Sequence, residues 1–318
     1  MIRSWHADAA GAREVPPIEA MRLAAAGTGF TWMDLEATEE TETRTLLSPL
    51  GIHPVALDDM VAHINRPKVD DYGAYLYLAV HSARWEKGER PSLRELDVLV
   101  GDRFLITFHE GATRSITAAH DVLARRPELL SRGPANLLHF LLDVLVDHYL
   151  PITDEIATEI DTLEEDLFGE PGSSLNESIL RLKRGLSALR RIVGPQRDTV
   201  LALTRDEFRA VPAEVRPYLR DVYDRLARVS DLLDSFRDEV ATLLELHVAI
   251  TSNRLNVVIK VLTVIATIML PLTVITSYYG MNFRLPEFAW PWGWLYALGL
   301  LAATAIGTGW YLRKRRWY

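Results

Sequence analysis

The run VVIKVLTVIATIMLPLTVITSYY, Val257 to Tyr279, contains a single charged residue, Lys260. About 20 consecutive apolar residues are enough for a helix to cross the hydrocarbon core of a bilayer. A second run, Trp292 to Leu312, carries no charge and is rich in Gly and Ala, which suit close helix contacts in lipid. The sequence therefore predicts two C-terminal membrane spans, at about 257–279 and at 292–312.

The residues that flank these runs favour membrane spans over buried helices of a soluble core, the alternative interpretation. Aromatic residues lie at both ends of the second run, as expected at membrane interfaces, and a basic tail follows at 313–318. Basic residues beside a span favour the cytoplasmic side. Two spans then predict a multi-pass protein of the cell (inner) membrane with both termini in the cytoplasm. The segment 280–291 is the expected external loop.

The rest of the chain has the composition of a soluble protein. The whole chain has 318 residues and a formal net charge of -8, and most of its charged residues lie in 1–254. There is no cysteine, which excludes disulfides and thiolate metal sites. The first residues have no apolar core, so no cleaved signal peptide is predicted. We find no phosphate-binding glycine loop and no nucleophile elbow, and we expect neither an enzyme nor a nucleic-acid partner.

Residues 1–135 mix strand-like and helical patterns, which predicts a cytoplasmic α/β domain. The stretch DYGAYLYLAVHSARW, 71–85, alternates like a strand. The stretch 97–108 has the pattern of a hairpin that turns at Gly101 and Asp102.

Residues 136–210 are predicted to form an acidic antiparallel pair of helices, at roughly 136–168 and 175–206. The carboxylate-rich end of the first helix is most simply a solvated face, with a cation-attracting surface as the alternative. The same helix carries four residues with metal-binding side chains in an apolar context. We expect them to be buried paired groups rather than a metal site: His139, Asp143, Asp147 and His148.

A long stalk helix, 212–279, is predicted to continue into the first span. No Gly or Pro interrupts it from Tyr218 to Leu270, and at 1.5 Å per residue it would be about 90 Å long. Its apolar residues alternate at spacings of four and three, as in a coiled-coil seam. The seam includes a histidine that we expect to be a packed core residue: Val222, Leu226, Val229, Leu233, Phe236, Val240, Leu243, His247 and Ile250.

One side of the first span is polar when residues are placed at 100° per step around a helix. This polar stripe is a helix–helix seam or the wall of a pore. It leads to Asn282 in the external loop, which favours the pore. A chain with two spans encloses a pore only in a ring of subunits. The polar stripe consists of Asn256, Ile259, Thr263, Ala266, Thr267, Leu270, Thr273 and Ser277.

The trio Gly280-Met281-Asn282 directly after Tyr279 resembles the signature of the CorA family of magnesium channels. The pore helix around it and the segments HPVALDDM, INRPKVDDYGAYLYL, RPYLRDVYDR and RKRRWY are also similar to that family, from about His53 to the end. The resemblance implies a homopentameric channel. Each subunit would have a funnel-shaped cytoplasmic α/β domain, long stalk helices and two C-terminal transmembrane helices.

The resemblance also implies roles for individual residues. An entrance of Gly280, Met281, Asn282 and Glu287 would meet hydrated Mg²⁺, because carboxamide oxygens accept hydrogen bonds from its waters without stripping them. The implied pore-lining residues are Asn256, Ile259, Leu262, Thr263, Ala266, Leu270, Thr273 and Ser277. Among them, Ile259, Leu262 and Leu270 match a hydrophobic constriction. Asp59 and Asp221, with Asp58 as a substitute, match carboxylates that bind regulatory Mg²⁺ between subunits.

The function this implies is uptake of Mg²⁺, with Co²⁺ and Ni²⁺ as further candidates, down the membrane potential and gated by internal Mg²⁺. One alternative is a zinc importer, coupled to protons, like the ZntB branch of the superfamily. That branch typically has Gly-Val-Asn, so Met281 argues against it. Another is a membrane-tethered coiled-coil scaffold, for which a polar stripe has no use. Two departures from the family concern the mouth: Arg284 adds a cation, and Ser277 replaces a frequent glycine.

Overall fold

The computed structural model describes residues 1–62, 66–111, 113–169, 175–205, 208–282, 286–315 and 317, without the side chain of Phe288. The chain divides into two units, Met1–Leu244 and Glu245–Tyr318. Most of the link between the two helices predicted in 136–210, and the departure at Arg284, lie outside the described residues.

The first unit is built on a mixed sheet, which has seven strands within the described residues, in the order β2-β1-β3-β7-β6-β5-β4. Only β3 and β7 run parallel among its described neighbours, with Asp34 opposite Thr107. This pairing brings the carboxyl ends of two strands far apart in sequence to one edge. The strands are β1 Ile2–Asp8, β2 Gly11–Glu14, β3 Phe30–Glu36, β4 Lys68–Asp71, β5 Tyr75–Arg84, β6 Ser92–Gly101 and β7 Phe104–His109.

The helices of the first unit are α1 to α7 and the first half of α8. The bounds are α1 Pro17–Ala26, α2 Glu40–Leu47, α3 Pro54–Ala62, α4 Arg114–Arg125, α5 Pro134–Asp147, α6 Tyr149–Phe168, α7 Leu175–Leu203 and α8 Arg216–Tyr279. Short 3-10 turns lie at Ser48–Leu50 and Pro127–Arg132.

Apolar side chains on one face of the sheet form a core with α1 to α3. Met33 and Leu35 of β3 pack there with Met21, Leu47 and Met60. Because strand side chains alternate, Trp32 and Asp34 point to the opposite face. Helix α5 packs against β3, β5, β6 and β7.

The structure confirms one local prediction in the sheet and corrects another. The hairpin is confirmed, since β6 ends at Gly101 and pairs antiparallel with β7. The single strand over 71–85 is wrong at its start. Asp71 belongs to β4 and pairs with Leu76, and Gly73, with φ of +77°, makes the turn between them. A left-handed φ favours glycine, which explains this residue.

The predicted helix over 136–168 is two helices, α5 and α6, with His148 between them. Pro151 has no N–H to donate to the carbonyl of Asp147, which favours a break at this point. Pro195 and Pro271, by contrast, lie inside the uninterrupted helices α7 and α8. A proline alone therefore does not decide where a helix ends.

The coiled-coil-like seam of α8 is confirmed through Leu243. The buried apolar residues of the helix fall at the predicted positions from Val222 to Leu243. His247 and Ile250 are only partly buried. The prediction of a packed core histidine at 247 is therefore too strong for the single chain.

A buried polar network joins β3, β7 and α4. Asp34, 5% exposed, accepts hydrogen bonds from Thr107 Oγ1 at 2.5 Å, His109 Nε2 at 3.1 Å and His120 Nε2 at 3.0 Å. Burial opposes its ionisation, but the hydrogen bonds from the two histidines outweigh this and lower the pKa of Asp34 to about 2. The carboxylate is therefore ionised inside the domain.

His109 is the cationic partner in this network. Its Nδ1 lies 2.7 Å from the carbonyl of Gly111 and its Nε2 faces Asp34, so both nitrogens meet acceptors and both carry protons. Burial lowers the pKa of His109, but the bond to Asp34 outweighs it and the net shift is upward. His120 accepts from Trp5 Nε1 at 3.3 Å through Nδ1, which leaves the proton on Nε2. A buried imidazolium–carboxylate pair thus holds the end of β7.

Candidate functional site

The second unit holds the two candidate membrane spans, which are the last part of α8 and α9, Gly293–Lys314. Both helices are long and apolar enough to cross a membrane. In the most apolar 18-residue stretch of each helix, 0% of α8 and 6% of α9 are buried within the chain. Exposing that much apolar surface to water is unfavourable, which favours membrane spans over helices buried in the core of this chain.

The side of α8 opposite the polar stripe is partly covered within the single chain. Half-buried side chains recur at helical spacing at Val264, Ile268, Leu272 and Ile275. The implied pore-lining residues are instead exposed, except for the half-buried Thr263: Asn256, Ile259, Leu262, Ala266, Leu270, Thr273 and Ser277. The surface that the sequence assigns to a pore is therefore uncovered in one chain.

The threonines of the polar stripe donate their hydroxyl protons to the preceding helical turn. Thr263 Oγ1 donates to the carbonyl of Ile259 at 2.8 Å, and Thr267 Oγ1 to that of Thr263 at 2.7 Å. Thr273 Oγ1 donates to Met269 at 2.9 Å. With the proton used in this way, each oxygen keeps lone pairs that accept hydrogen bonds. Such an oxygen suits the water shell of a cation better than an anion.

A groove of about 730 Å³ lies along the C-terminal part of the polar stripe. Four of the implied pore-lining residues line it together with residues of the helix end. The complete lining is Ala266, Met269, Leu270, Thr273, Val274, Ser277, Tyr278 and Met281. The structure thus places the C-terminal part of the polar stripe and Met281 of the Gly-Met-Asn trio on one continuous surface.

Gly280 ends α8 by a close approach to the last turn. Its N–H donates to Thr276 O at 2.9 Å and lies 3.2 Å from Ser277 O. A Cβ added at Gly280 would lie 3.2 Å from the Thr276 oxygen, which is tight for a side chain. Its φ is not left-handed. Close backbone contact, rather than a special turn conformation, therefore accounts for glycine here.

The other residues of the predicted entrance follow this helix end. The N–H of Met281 donates to Tyr278 O at 3.3 Å, and both Met281 and Asn282 are exposed. Glu287 lies in a 3-10 turn, Pro286–Ala289. Its Oε2 atom is buried and has no hydrogen-bond partner among the described residues. The trio thus ends in an exposed carboxamide, and the Glu287 carboxylate has one buried oxygen without a partner among the described residues.

The three candidate regulatory aspartates lie in separate ion pairs of the first unit. Asp58 accepts from Arg44, and Asp59 contacts Lys68 Nζ at 2.5 Å. Asp221, on α8, lies 3.2 Å from Arg225 Nη2. Within the described part of one chain, no group of three or more His, Asp or Glu residues is placed to hold a metal.

The four residues with metal-binding side chains on the predicted acidic helix are paired or packed, as expected, but they are not buried, since Asp147 is exposed and the other three are half-buried. Asp143 and Asp147 both bind the guanidinium of Arg225. The ring of His139 lies 5.5 Å from that of Tyr218. His148 Nδ1 contacts the carbonyl of Val144. These residues are engaged in ion pairs and packing at the junction with α8, a contact that spacing along one helix does not indicate.

Comparison with known proteins gives a consistent result. The family model described as CorA-like Mg2+ transporter protein matches residues 27–314. A Bacillus subtilis protein named as a candidate metal ion transporter, YfjQ, is 33% identical over 300 residues, 94% of this chain and 92% of that protein. The cobalt/magnesium transport protein CorA of Thermotoga maritima is 31% identical over 291 residues, 90% of this chain and 83% of that protein.

Two more distant relatives are a solved structure, which is similar in fold, and a zinc transport protein. The solved structure of the CorA magnesium transporter from Methanocaldococcus jannaschii matches with a TM-score of 0.87 at 20% identity, covering 100% of this chain and 99% of that chain. The soluble α/β domain, the long helix and the C-terminal apolar helix are shared features of this fold. The zinc transport protein ZntB of Pectobacterium atrosepticum is 24% identical over 291 residues, 90% of this chain and 87% of that protein.

Proposed function

This chain belongs to the family of CorA-like Mg²⁺ transporter proteins, and from that premise we propose that it forms a homopentameric channel for Mg²⁺ uptake. The observation that carries the proposal is the uncovered polar stripe of α8, which leads to the Gly-Met-Asn trio. In this role the chain is a divalent metal ion transporter rather than an enzyme. Co²⁺ and Ni²⁺ are further candidate cargoes.

A ring of subunits explains why the polar stripe is uncovered. Threonine oxygens and Asn256 gain nothing from lipid contact, and a two-span chain cannot enclose water alone. Placed toward a common axis, the stripes of neighbouring α8 helices would line a water-filled path. The side of α8 that is half-buried in the single chain would then face away from the axis. Ile259, Leu262 and Leu270 would form apolar rings in which dewetting closes the path.

Asn282 would ring the external entrance of this path. Mg²⁺ gives up its water shell reluctantly, so an entrance that accepts hydrogen bonds from these waters admits the ion without dehydrating it. Asparagine is neutral and does not trap the ion, which must also leave. Met281 and Gly280 would hold the trio against the end of α8, and Glu287 would add negative potential nearby.

The direction of transport follows from the membrane potential. With the chain in the cell (inner) membrane and both termini on its cytoplasmic side, the trio faces outward. A divalent cation that crosses an inside-negative potential of 100 mV gains about 4.6 kcal/mol, twice the value per unit charge. Uptake then needs no nucleotide hydrolysis.

The second candidate function is zinc import coupled to protons. It is favoured by the similarity to the ZntB protein over 90% of the chain. Met281 argues against it, because that branch typically has valine at the position.

The deciding experiment is ion uptake into sealed proteoliposomes that hold the full-length protein. Liposomes with a Mg²⁺-sensitive dye and an imposed inside-negative potential are expected to show Mg²⁺ uptake that follows the potential and ignores a pH gradient. Empty liposomes are the control. Zn²⁺ uptake that requires the pH gradient, with Mg²⁺ excluded, would instead assign the zinc function.

We also propose that internal Mg²⁺ closes the channel by binding between subunits at Asp59 and Asp221, with Asp58 as a substitute. In the single chain Asp59 and Asp221 contact Lys68 and Arg225. Bound Mg²⁺ would draw these carboxylates into a bridge between neighbours, and its loss would let like charges repel.

The variant Asp59→Asn/Asp221→Asn is expected to remain open at internal Mg²⁺ concentrations that close the wild type. Because each asparagine loses the charge that attracts the ion, we expect the inhibitory concentration to rise at least about tenfold, the effect of about 1.4 kcal/mol. Uptake against preset internal Mg²⁺ measures it. Asp224→Asn, an exposed change one turn from Asp221, is the matched control. Equal inhibition of all three proteins would remove this regulatory site.

A further inference from the structure

Each of the two carboxylates proposed to bind regulatory Mg²⁺ is paired with a cation of its own chain. Asp221 lies 3.2 Å from Arg225 Nη2, and Asp59 lies 2.5 Å from Lys68 Nζ. The two pairs are separate, since the first lies on α8 and the second joins α3 to β4. An ion that binds either carboxylate has to displace this cation or bind beside it.

The carboxylates themselves suit Mg²⁺. This ion prefers oxygen ligands and is usually bound through one or two carboxylates, with waters completing its octahedral shell. The side chains of Asp221 and Asp58 are 73% and 61% exposed, so a hydrated ion can reach them. Asp59 is half-buried, and Asp58 is itself paired with Arg44. The donor atoms therefore fit the ion, and the neighbouring cations are the feature that opposes it.

The guanidinium of Arg225 is fixed by more than Asp221. It also binds Asp143 and Asp147 of α5, and its side chain is only 20% exposed. An exposed ion pair between neighbouring turns is weak, because both side chains can move away. Here the two carboxylates of α5 hold the guanidinium through charge-assisted hydrogen bonds. The positive charge therefore stays beside Asp221 even when the exposed Asp221 side chain rotates.

The contact with Asp221 is not needed for the junction of the two helices. Arg225 already joins α8 to α5 through Asp143 and Asp147, whereas Asp221 lies on α8 itself, one turn before Arg225. Loss of the Asp221 carboxylate would leave the pairs between the helices in place. The consequence of this contact is instead electrostatic, because it puts a fixed positive charge where the ion would bind.

Lys68 is held beside Asp59 in a similar way. Its Nζ also lies 2.9 Å from Asp70 Oδ2 and 5.1 Å from the centre of the Tyr77 ring, a cation–π distance. Burial lowers the pKa of Lys68, but the hydrogen bonds to Asp59 and Asp70 outweigh it, and the net shift is upward. The ammonium is therefore charged at neutral pH.

A fixed cation beside a carboxylate weakens the binding of a second cation there. Like charges repel over several ångströms, and salt screens partly buried charges less than fully exposed ones. The charges of Arg225 and Lys68 are both partly buried. Removal of either charge should therefore strengthen the binding of Mg²⁺ to the carboxylate next to it.

We propose that Arg225 and Lys68 are tethered cations that compete with regulatory Mg²⁺ for Asp221 and Asp59, and so raise the Mg²⁺ concentration at which the channel closes. This inference rests on the regulatory site of the proposed function. Both are positioning residues and not ligands of the ion. At low internal Mg²⁺ each cation holds its carboxylate within its own chain. At high internal Mg²⁺ the ion takes the place of the cation and joins neighbouring subunits.

The test is the Mg²⁺ dependence of the melting temperature of the full-length protein in detergent. A ligand that binds only the folded protein raises this temperature as its concentration exceeds Kd. Arg225→Gln is expected to move the rise to Mg²⁺ concentrations at least about tenfold lower, an effect of about 1.4 kcal/mol. Arg228→Gln, the same change at an exposed position of α8, is the matched control and should titrate as the wild type does.

Two further variants separate competition for the carboxylate from a change in folding. Arg225→Lys keeps a positive charge at the junction and should titrate much closer to the wild type than Arg225→Gln does, although it loses the guanidinium geometry. In the Asp221→Asn background, Arg225→Gln should have little effect, because the carboxylate for which the two cations compete is gone. Lys68→Gln should give the same shift as Arg225→Gln, and it tests the proposal if Arg225→Gln does not fold.

Several outcomes would overturn the proposal. Equal Mg²⁺ dependence of the wild type and a folded Arg225→Gln protein would remove the competition and leave the regulatory site itself intact. A gain in affinity that persists in the Asp221→Asn background would place the ion at the freed carboxylates of α5 instead. A gain of the same size in Arg228→Gln would reduce the effect to net charge. A wild-type melting temperature that does not respond to Mg²⁺ would remove both the regulatory site and this inference.

Discussion

Replacement of Asn282 with alanine is expected to slow divalent-cation uptake at least about tenfold, while leaving expression and assembly intact. The residue is exposed directly after α8, so the change removes no buried packing. A hydrogen bond that involves a charged partner contributes about 1.5–3 kcal/mol. Loss of the carboxamide from the entrance should therefore slow uptake about tenfold or more. Flux into dye-loaded proteoliposomes under an imposed potential measures this.

Two further variants make the result specific. Asn282→Gln keeps the carboxamide and should retain part of the uptake, with altered ion preference because the oxygens move toward the axis. Asn176→Ala, an exposed asparagine at the start of α7, is the matched control and should behave as the wild type does. Normal uptake and selectivity in Asn282→Ala, in protein that elutes at the wild-type size, would remove Asn282 from the entrance.

The membrane part of the chain was the easier part to predict. Hydropathy and aromatic flanks depend on local sequence alone, and the structure has uncovered apolar helices at both predicted spans. The seam of α8 was also predictable through Leu243, because helical periodicity shows directly which positions can pack. The roles predicted for Asn282, Asp59 and Asp221 would depend on contacts between chains, and they stay predictions.

The sheet of the first unit shows what local patterns miss. The hairpin at Gly101 joins neighbours in sequence and was predictable. The parallel pairing of β3 with β7 joins Asp34 to Thr107, which are separated by 73 residues, and no local pattern indicates it. The buried network depends on that pairing. His109 and His120 carry no motif, so their common partner Asp34 became apparent only in the folded chain.

Replacement of Asp34 with asparagine is expected to destabilise the first unit by about 3 kcal/mol, the usual cost of removing one partner of a buried ion pair. The depressed pKa of about 2 leads to a similar value, since a carboxyl lowered from 3.8 contributes about 2–3 kcal/mol at neutral pH. The melting temperature of the full-length protein in detergent should fall by roughly 5–10 °C. Tryptophan fluorescence suits this measurement, because Trp32 stacks on His120.

The pH dependence separates this ion pair from a simple packing defect. The Asp34 contribution is present above its unfolded pKa of 3.8 and is lost as pH falls toward about 2. The His109 contribution, whose folded pKa is raised, is complete below 6.5 and is lost as pH rises through the raised value. The stability difference between wild type and Asp34→Asn should therefore be largest near pH 5–6 and shrink in alkaline solution. Asp121→Asn, an exposed change on α4, should shift nothing, and a difference that stays constant from pH 5 to 9 would contradict a charged His109.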